Sequence, residues 1–315
     1  MSGTEGFVLA LSGGIGGAKL ALGLYRVLPP GALIVVANTG DDFEHLGLSI
    51  SPDIDTLLYT LAGLDNPELG WGRRDETWTF MNALGDLGGE TWFNLGDADL
   101  ATHVERTRRL SVGVSLSEIT DDFRRHLGIS ARLLPMTDDR VRTRLHTADG
   151  WLDFQDYFVR LHCTPVIRNI AFAGADEARP QLQFIHALAD RNLRAVVICP
   201  SNPFISIDPI LSLPGVREAL RACSAPVIAV SPIIGGKAIK GPTAKMMAEL
   251  GLPVDAPAVA RHYGDIVDLY VADETDAGAV GGLGVSVTFA RTLMVSLEDR
   301  EALARVVLEA ADRGS

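Results

Sequence analysis

The chain has 315 residues, 47% of them apolar and 22% charged, the balance of an ordinary soluble globular protein. A net charge of −12 argues against a nucleic-acid partner, which calls for a basic face. The cysteines Cys163, Cys199 and Cys223 are odd in number and lack metal-like spacing, which points to a reducing cytoplasm and away from zinc and disulfides. The N-terminus lacks a basic segment, and the apolar stretch from Phe7 is broken by glycines and Lys19, so neither a signal peptide nor a membrane span is expected.

In chain order, strands are predicted at Phe7–Leu11, Ala32–Ala37, Ile167–Ala173, Ala195–Cys199, Val227–Val230, Leu269–Ala272 and Leu293–Val295. Helices are predicted at Leu20–Leu28, Pro180–Arg191, Val216–Ala222, Thr243–Leu250 and Asp299–Arg313. This alternation predicts an α/β fold, a Rossmann-like, doubly wound and mostly parallel sheet with helices on both faces. Residues 56–128 break the rhythm with four helical patterns and no strand, and read as a helical insertion within one domain spanning 1–315. A hairpin is expected after it, with Val141–His146 and Trp151–Val159 flanking Ala148-Asp149-Gly150.

Two segments at predicted strand ends carry the chemistry. Gly13, Gly14, Gly16, Gly17 and Lys19 follow the first strand and open a helix, a turn in which backbone N–H groups can approach an anion. Tight packing is the competing explanation for these glycines. The turn is not a Walker loop, since Leu20 follows Lys19, nor a strict dinucleotide fingerprint, since Lys19 stands where a glycine belongs. After the second strand come Asp41, Asp42, Asp53 and Asp55, where ligands of open α/β sheets bind. Paired carboxylates in such a place hold a hard divalent cation against a phosphate, or handle protons. His45 is a further candidate in this segment.

Other groups have weaker claims. Arg73 or Arg74 suits a phosphate or carboxylate clamp, and Trp71 or Trp78 a stacking platform, against a plain helix start with Asp75 and Glu76 in its first turn. Asp97 or Asp99 is expected to cap the following helix. Ser201 and Asn202 follow one strand, Ser231 to Lys237 another, and Lys237, Lys240 and Lys245 are candidates to meet an anionic substrate.

Read together, Gly13-Gly-Ile-Gly-Gly-Ala-Lys, Asn38-Thr-Gly-Asp-Asp, Pro52-Asp-Ile-Asp-Thr, Gly70-Trp-Gly-Arg-Arg-Asp-Glu-Thr, Leu95-Gly-Asp-Ala-Asp-Leu-Ala-Thr-His, Ser201-Asn-Pro and Ser231-Pro-Ile-Ile-Gly-Gly-Lys resemble, in order, the 2-phospho-L-lactate transferases of coenzyme F-420 biosynthesis. The likeness runs to at least Lys245, and little is recognised beyond about Pro253. It implies a Mg²⁺-dependent cytoplasmic transferase, a homodimer, with a Rossmann-like fold and a small helical subdomain. The implied reaction moves a phospho-acyl unit (phospholactyl, phosphoenolpyruvyl or phosphoglyceryl) from a guanosine-diphosphate-activated donor to the ribityl hydroxyl of the deazaflavin FO, releasing GMP. By the matched motifs Asp41 and Asp53 are metal ligands, the glycine turn a phosphate cradle, and the Ser201 segment part of the nucleotide pocket. Asp42 or Asp55 then suits the role of proton acceptor, and Trp71, Trp78 or Phe43 that of a surface for the flat FO ring. A non-catalytic nucleotide-binding regulator and an NAD-dependent oxidoreductase are the alternatives. Asn38 weakens the second, because an acid normally grips ribose there.

Overall fold

The computed structural model describes residues 6–314 except Leu69, Lys240 and Gly281. The first half runs β1 (Phe7–Ser12), α1 (Gly14–Val27), β2 (Leu33–Ala37), β3 (Phe43–His45), β4 (Leu48–Ile50), α2 (Pro52–Ala62), α3 (Thr79–Asp86), α4 (Asp97–Leu110), α5 (Leu116–His126) and β5 (Arg132–Pro135). Then follow β6 (Arg142–Thr147), β7 (Gly150–Asp153), β8 (Asn169–Ala173), α6 (Leu182–Leu188), β9 (Leu193–Ile198), α7 (Asp208–Leu211), α8 (Val216–Ala222) and β10 (Val227–Val230). The chain closes with β11 (Ile233–Ile234), β12 (Lys237–Ala238), α9 (Thr243–Glu249), α10 (Ala256–Tyr263), β13 (Leu269–Asp273), β14 (Ser286–Ala290) and α11 (Leu297–Gly314).

Seven strands form one sheet in the order β14-β13-β10-β9-β1-β2-β5, every pair parallel. The fold is therefore the expected Rossmann-like α/β fold. Apolar runs in β1, β2, β9 and β10 satisfy both faces at once, as a sheet covered by helices on each side requires. Along β1, Leu9 and Leu11 join one core with Phe184, Leu220, Met246 and Tyr263 of α6, α8, α9 and α10. Val8 and Ala10 join the other with Leu24, Leu57, Phe123 and Val307 of α1, α2, α5 and α11. A Cβ at Gly23 would strike the Arg300 carbonyl, so a glycine is what lets α1 and α11 cross closely.

The order of strands reverses direction between β1 and β9, whose register pairs Leu11 with Ile198. The carboxyl ends of these strands open the crevice in which such sheets bind ligands. The crossover from β2 to β5 carries the hairpin β3–β4 and helices α2 to α5. Its own small core joins Ile50, Met81 and Leu95.

Several elements depart from expectation. The segment ending at Ala173 forms β8 in a separate antiparallel sheet of order β7-β6-β8 rather than joining the parallel sheet. Residues 293–295 form no strand, and the edge strand is β14, where Ser286, Val287, Thr288, Phe289 and Ala290 pair with β13. Helix α3 begins at Thr79, not at Asp75, whose φ of +56° lies in the left-handed region that a regular helix excludes. The second arm of the expected hairpin stops at Asp153, and residues 156–160 coil into a helical turn. Among the described residues no helix is long and apolar enough to cross a membrane.

Candidate functional site

One carboxylate ties the crevice together. Asp53, in the first turn of α2, accepts the Gly14 N–H through Oδ1 at 2.6 Å and the Asn38 amide through Oδ2 at 2.9 Å. Asn38 Nδ2 also donates to the Ile205 carbonyl at 3.1 Å, and Asn38 Oδ1 accepts the Gly40 N–H at 2.8 Å. Gly14 has φ +63°, a conformation that favours glycine. A Cβ on Gly13 would lie 2.6 Å from Ser206 Cβ, one on Gly17 2.5 Å from Ser201 Oγ, and one on Gly16 against the Pro200 carbonyl. Three of the four glycines are thus demanded by close packing of the turn on the β9 loop. The anion that the turn holds is a side chain of the protein itself, and Gly13 N–H faces Ser201 Oγ at 3.4 Å.

Asp41 feels the charge of both Asp53 and Asp42, and each of the three is no more than 7% exposed. Ser51 Oγ donates to Asp42 Oδ2 at 2.7 Å. Asp41 Oδ1 and Asp42 Oδ1 are buried with no hydrogen-bond partner among the described residues. Burial raises the Asp53 pKa to about 6 against the lowering bonds from Asn38 and Gly14. It raises Asp42 to about 7, opposed by Ser51, Arg142 and Arg106. Asp41 is pushed well up by burial and by the charge on Asp53. Clustered carboxylates with unused oxygens and no cation in direct contact form a donor set that a hard divalent cation satisfies. Asp41 and Asp53, the expected metal ligands, are near enough for the charge on one to raise the pKa of the other.

Asp55 has another fate. Arg106 of α4, 1% exposed, grips it with both terminal nitrogens, Nη1 donating to Oδ2 at 3.1 Å and Nη2 bonding Oδ1. Burial disfavours the charged guanidinium, but Asp55 outweighs it and holds the Arg106 pKa up. Arg106 also donates to the Ser49 carbonyl at 3.3 Å, so it fastens α2, β4 and α4 to one another. Asp55, Asp99 and His103 place ligand atoms within 4.8 Å of one another, a possible metal trio. Yet Asp55 is neutralised by Arg106, and Asp99 Oδ1 accepts the Tyr59 hydroxyl at 2.5 Å. Among the described residues Asp41, Asp42 and Asp53 form no ion pair, although the charges of Arg142 and Arg106 lower the Asp42 pKa from a distance.

The insertion is organised by two reciprocal caps. Glu76 accepts the N–H groups of Ala98 and Asp99, both at 2.8 Å, at the start of α4. Asp97 accepts those of Thr79 and Phe80, at 3.0 and 2.9 Å, at the start of α3. Asp97 therefore caps the preceding helix rather than its own, whose N-cap is Gly96. Asp99 caps nothing and faces Tyr59 and His103 instead. Trp71, Arg73 and Trp78 line one small pocket with Glu76 and Asp99. Trp71 is 42% exposed, whereas Trp78 packs against the Ile50–Met81–Leu95 core. The Arg73 guanidinium lies over the Tyr59 ring at 5.5 Å, and Arg74 meets Asp65 at 3.9 Å. Phe43 and His45 belong to an aromatic cluster with Trp92 and Phe93, with centroids 4.8 to 6.2 Å apart. Burial lowers the His45 pKa, as befits a neutral packed imidazole. Sequence reading passed over Trp92 and Arg106, for neither stands in a motif whose chemistry is local.

The remaining candidates are mostly engaged. Asn202 Oδ1 accepts the Phe204 N–H at 2.9 Å and its Nδ2 lies 3.5 Å from Met246 Sδ, so its amide shapes the loop. Lys19 Nζ donates to the Met294 carbonyl at 3.0 Å. Ser231 closes its own turn with Ile233, and Gly235 and Gly236 donate to Asp276 at 3.0 and 3.2 Å. Lys245 pairs with Glu249 and donates to the Pro165 carbonyl at 2.8 Å. Lys237 is exposed on β12, and Lys240 lies outside the described residues.

Residues 8–280 match the model of a family described as 2-phospho-L-lactate transferase CofD. A phosphoenolpyruvate transferase of Kitasatospora aureofaciens is 40% identical over 97% of this chain and 98% of its own. One from Streptomyces coelicolor is 38% identical over 96% of each chain, and one from Mycobacterium bovis 37% identical over 97% and 98%. The likeness thus extends well past Pro253. A crystal structure of a Bacillus halodurans protein superposes with a TM-score of 0.68 over 98% of this chain and 99% of that one, at 16% identity, a likeness of fold.

The acidic cluster has a consequence for stability. Asp53 and Asp42 titrate near 6 and 7 when folded, above the 3.8 of an ordinary aspartate, so the folded chain binds more protons than the unfolded one between these values. Stability contributed by this cluster is full below about pH 4 and lost as pH rises through about 7. In EDTA, the melting temperature should therefore fall more steeply from pH 5 to 7.5 in the wild type than in Asp42→Asn. Added Mg²⁺ should stabilise the wild type more at pH 7.5 than at pH 5, since protons must leave before metal binds. Equal slopes in the two proteins would show that Asp42 is not so perturbed.

Proposed function

This chain belongs to the 2-phospho-L-lactate transferase family, and on that premise we propose that it transfers a phospho-acyl unit from a guanosine-diphosphate-activated three-carbon acid to the terminal ribityl hydroxyl of the deazaflavin FO. The reaction releases GMP and belongs to coenzyme F-420 biosynthesis. The relatives named phosphoenolpyruvate transferase favour phosphoenolpyruvyl over phospholactyl and phosphoglyceryl as the donor unit.

The observation that carries the reading is the set of unpartnered carboxylate oxygens at the switch point of the sheet. Asp41 and Asp53 would hold Mg²⁺, which supplies charge neutralisation for the diphosphate of the donor. Transfer of this kind asks the protein for little beyond positioning and electrostatics. The hydroxyl oxygen of FO attacks the phosphorus, a new P–O bond forms, and the bond to the GMP oxygen breaks. Asp42 accepts the hydroxyl proton. Its Oδ1 is free, its Oδ2 is oriented by Ser51, and a pKa of about 7 suits a general base. Asp55, locked to Arg106, instead anchors the helix that carries Asp53.

The test is a mass-spectrometric assay with FO, Mg²⁺ and guanosine-linked phosphoenolpyruvate, phospholactate and phosphoglycerate. We expect GMP and the FO adduct in equal amounts, fastest with the phosphoenolpyruvate donor, and loss of turnover in Asp53→Asn. A saturating guanosine diphosphate, at about 100 times its dissociation constant, should add roughly 2.7 kcal/mol of stability. No turnover with any donor, together with an equal thermal shift from NAD, would favour an oxidoreductase instead.

We assign the FO ring to the exposed face of Trp71, beside Arg73. Stacking on an exposed tryptophan is worth on the order of 1 kcal/mol beyond area burial. Trp71→Ala should therefore raise the KM for FO several-fold without changing the melting temperature. Trp78→Ala, which removes a ring from the small core, should lower the melting temperature. Normal FO binding by Trp71→Ala in a fluorescence titration would move the acceptor pocket elsewhere.

A further inference from the structure

Strand β6 sets Arg142, Arg144 and His146 on one face, while the alternate Thr143, Leu145 and Thr147 are buried on the other. Two of the three are paired with their partners on β7. Arg144 forms an ion pair with Asp153 at 2.9 Å, and His146 lies against Trp151 with ring centroids 4.9 Å apart. Strand β7 ends at Asp153, so nothing on it stands opposite Arg142, and its partner on β8 is Ala173. Among the described residues the Arg142 guanidinium donates one hydrogen bond, to the Val141 carbonyl at 2.8 Å, and forms no ion pair. It is nevertheless half-buried. A guanidinium has five N–H donors, and leaving most of them unmatched while partly out of water is unfavourable.

Its position is fixed by its neighbours. Thr143 N–H donates to the Gly40 carbonyl at 2.7 Å, and Gln155 Nε2 to the Asp41 carbonyl at 3.2 Å. The start of β6 is thereby stapled to the loop that bears Asp41 and Asp42. Burial lowers the Arg142 pKa, and the charge that most opposes this is Asp42. Arg142 is thus a cation on the rim of the acidic cluster that pairs with no carboxylate among the described residues.

We propose that Arg142 binds the carboxylate of the three-carbon acid in the guanosine-linked donor and so acts as the specificity determinant for an acid at that position. The assignment rests on the function proposed above. A cation held by Asp41 and Asp53 would balance the charge of the diphosphate, whereas the acid's own carboxylate would otherwise lie near acidic side chains with no cation of its own. A planar fork matches a planar carboxylate through two parallel N–H bonds, which a lysine ammonium cannot reproduce.

The test measures, by calorimetry with Mg²⁺ and without FO, the affinities of guanosine-linked phosphoenolpyruvate and of plain guanosine diphosphate for wild type, Arg142→Lys and Arg142→Gln. Both variants should bind the acid-bearing donor at least 10-fold more weakly and guanosine diphosphate as the wild type does, with KM for the donor raised and KM for FO unchanged. On the wild type, a donor analogue whose carboxylate is replaced by a carboxamide should lose a similar factor, an arm that holds even if a variant folds poorly. An equal loss for both ligands would place Arg142 on the phosphates and overturn the carboxylate assignment. Unchanged donor affinity, or a carboxamide bound as well as the acid, would overturn it too. If the wild type transfers normally while these results fail, only Arg142 is at fault; if it neither binds nor transfers, the function reading falls as well.

Discussion

The crevice depends on one buried carboxylate. Asp53 reaches from α2 to the first turn of α1 and to the end of β2, and so adds a polar tie where the paired ends of β1 and β2 already bring these segments together. A peptide N–H and an amide N–H orient both oxygens and lower the Asp53 pKa, but burial raises it further than they lower it. Burial likewise raises Asp41 and Asp42 on the neighbouring loop. Among the described residues none of the three has a cation in direct contact, which is the observation behind the proposed divalent-cation site.

The contrast with Asp55 sharpens this. Two residues along the same helix, it receives a buried guanidinium that answers its charge in full geometry. Breaking a buried pair of that kind is costly, on the order of 3–5 kcal/mol, because a lone charge would remain. Helix α2 is thus clamped from the insertion side by Arg106 and left electrostatically open on the crevice side at Asp53. The insertion itself is held by Glu76 and Asp97, each capping the other's helix. Rigid support lies on one side and unmet charge on the other, the arrangement a preorganised site requires.

Much of this was legible in the sequence, and the parts that were not share a cause. Apolar runs such as Leu33-Ile-Val-Val-Ala declare central strands because both faces are covered. Edge strands do not. Arg132-Leu-Leu-Pro is too short to stand out, and Ser286-Val-Thr-Phe-Ala alternates weakly, so the apolar Leu293–Val295 drew the assignment away from it. The hairpin β3–β4 turns on Leu46 and Gly47, both at positive φ, a turn that leucine does not announce. Asp41, Asp42 and Asp53 could be singled out because they follow a recognisable strand. Arg106 and Arg142 could not, since Arg106 lies 51 residues from its partner Asp55 and Arg142 pairs with no carboxylate among the described residues. The glycines were visible as a turn, but only the folded structure separates packing at Gly13, Gly16 and Gly17 from the left-handed backbone at Gly14.

The central claim is that the divalent cation belongs to Asp41 and Asp53 and not to the nearby Asp55–Asp99–His103 trio. Titration of the protein with Mn²⁺, followed by electron paramagnetic resonance, tests it directly. The account predicts one site per chain that disappears in Asp53→Asn and persists in His103→Gln. A site retained in Asp53→Asn and lost in His103→Gln would contradict it.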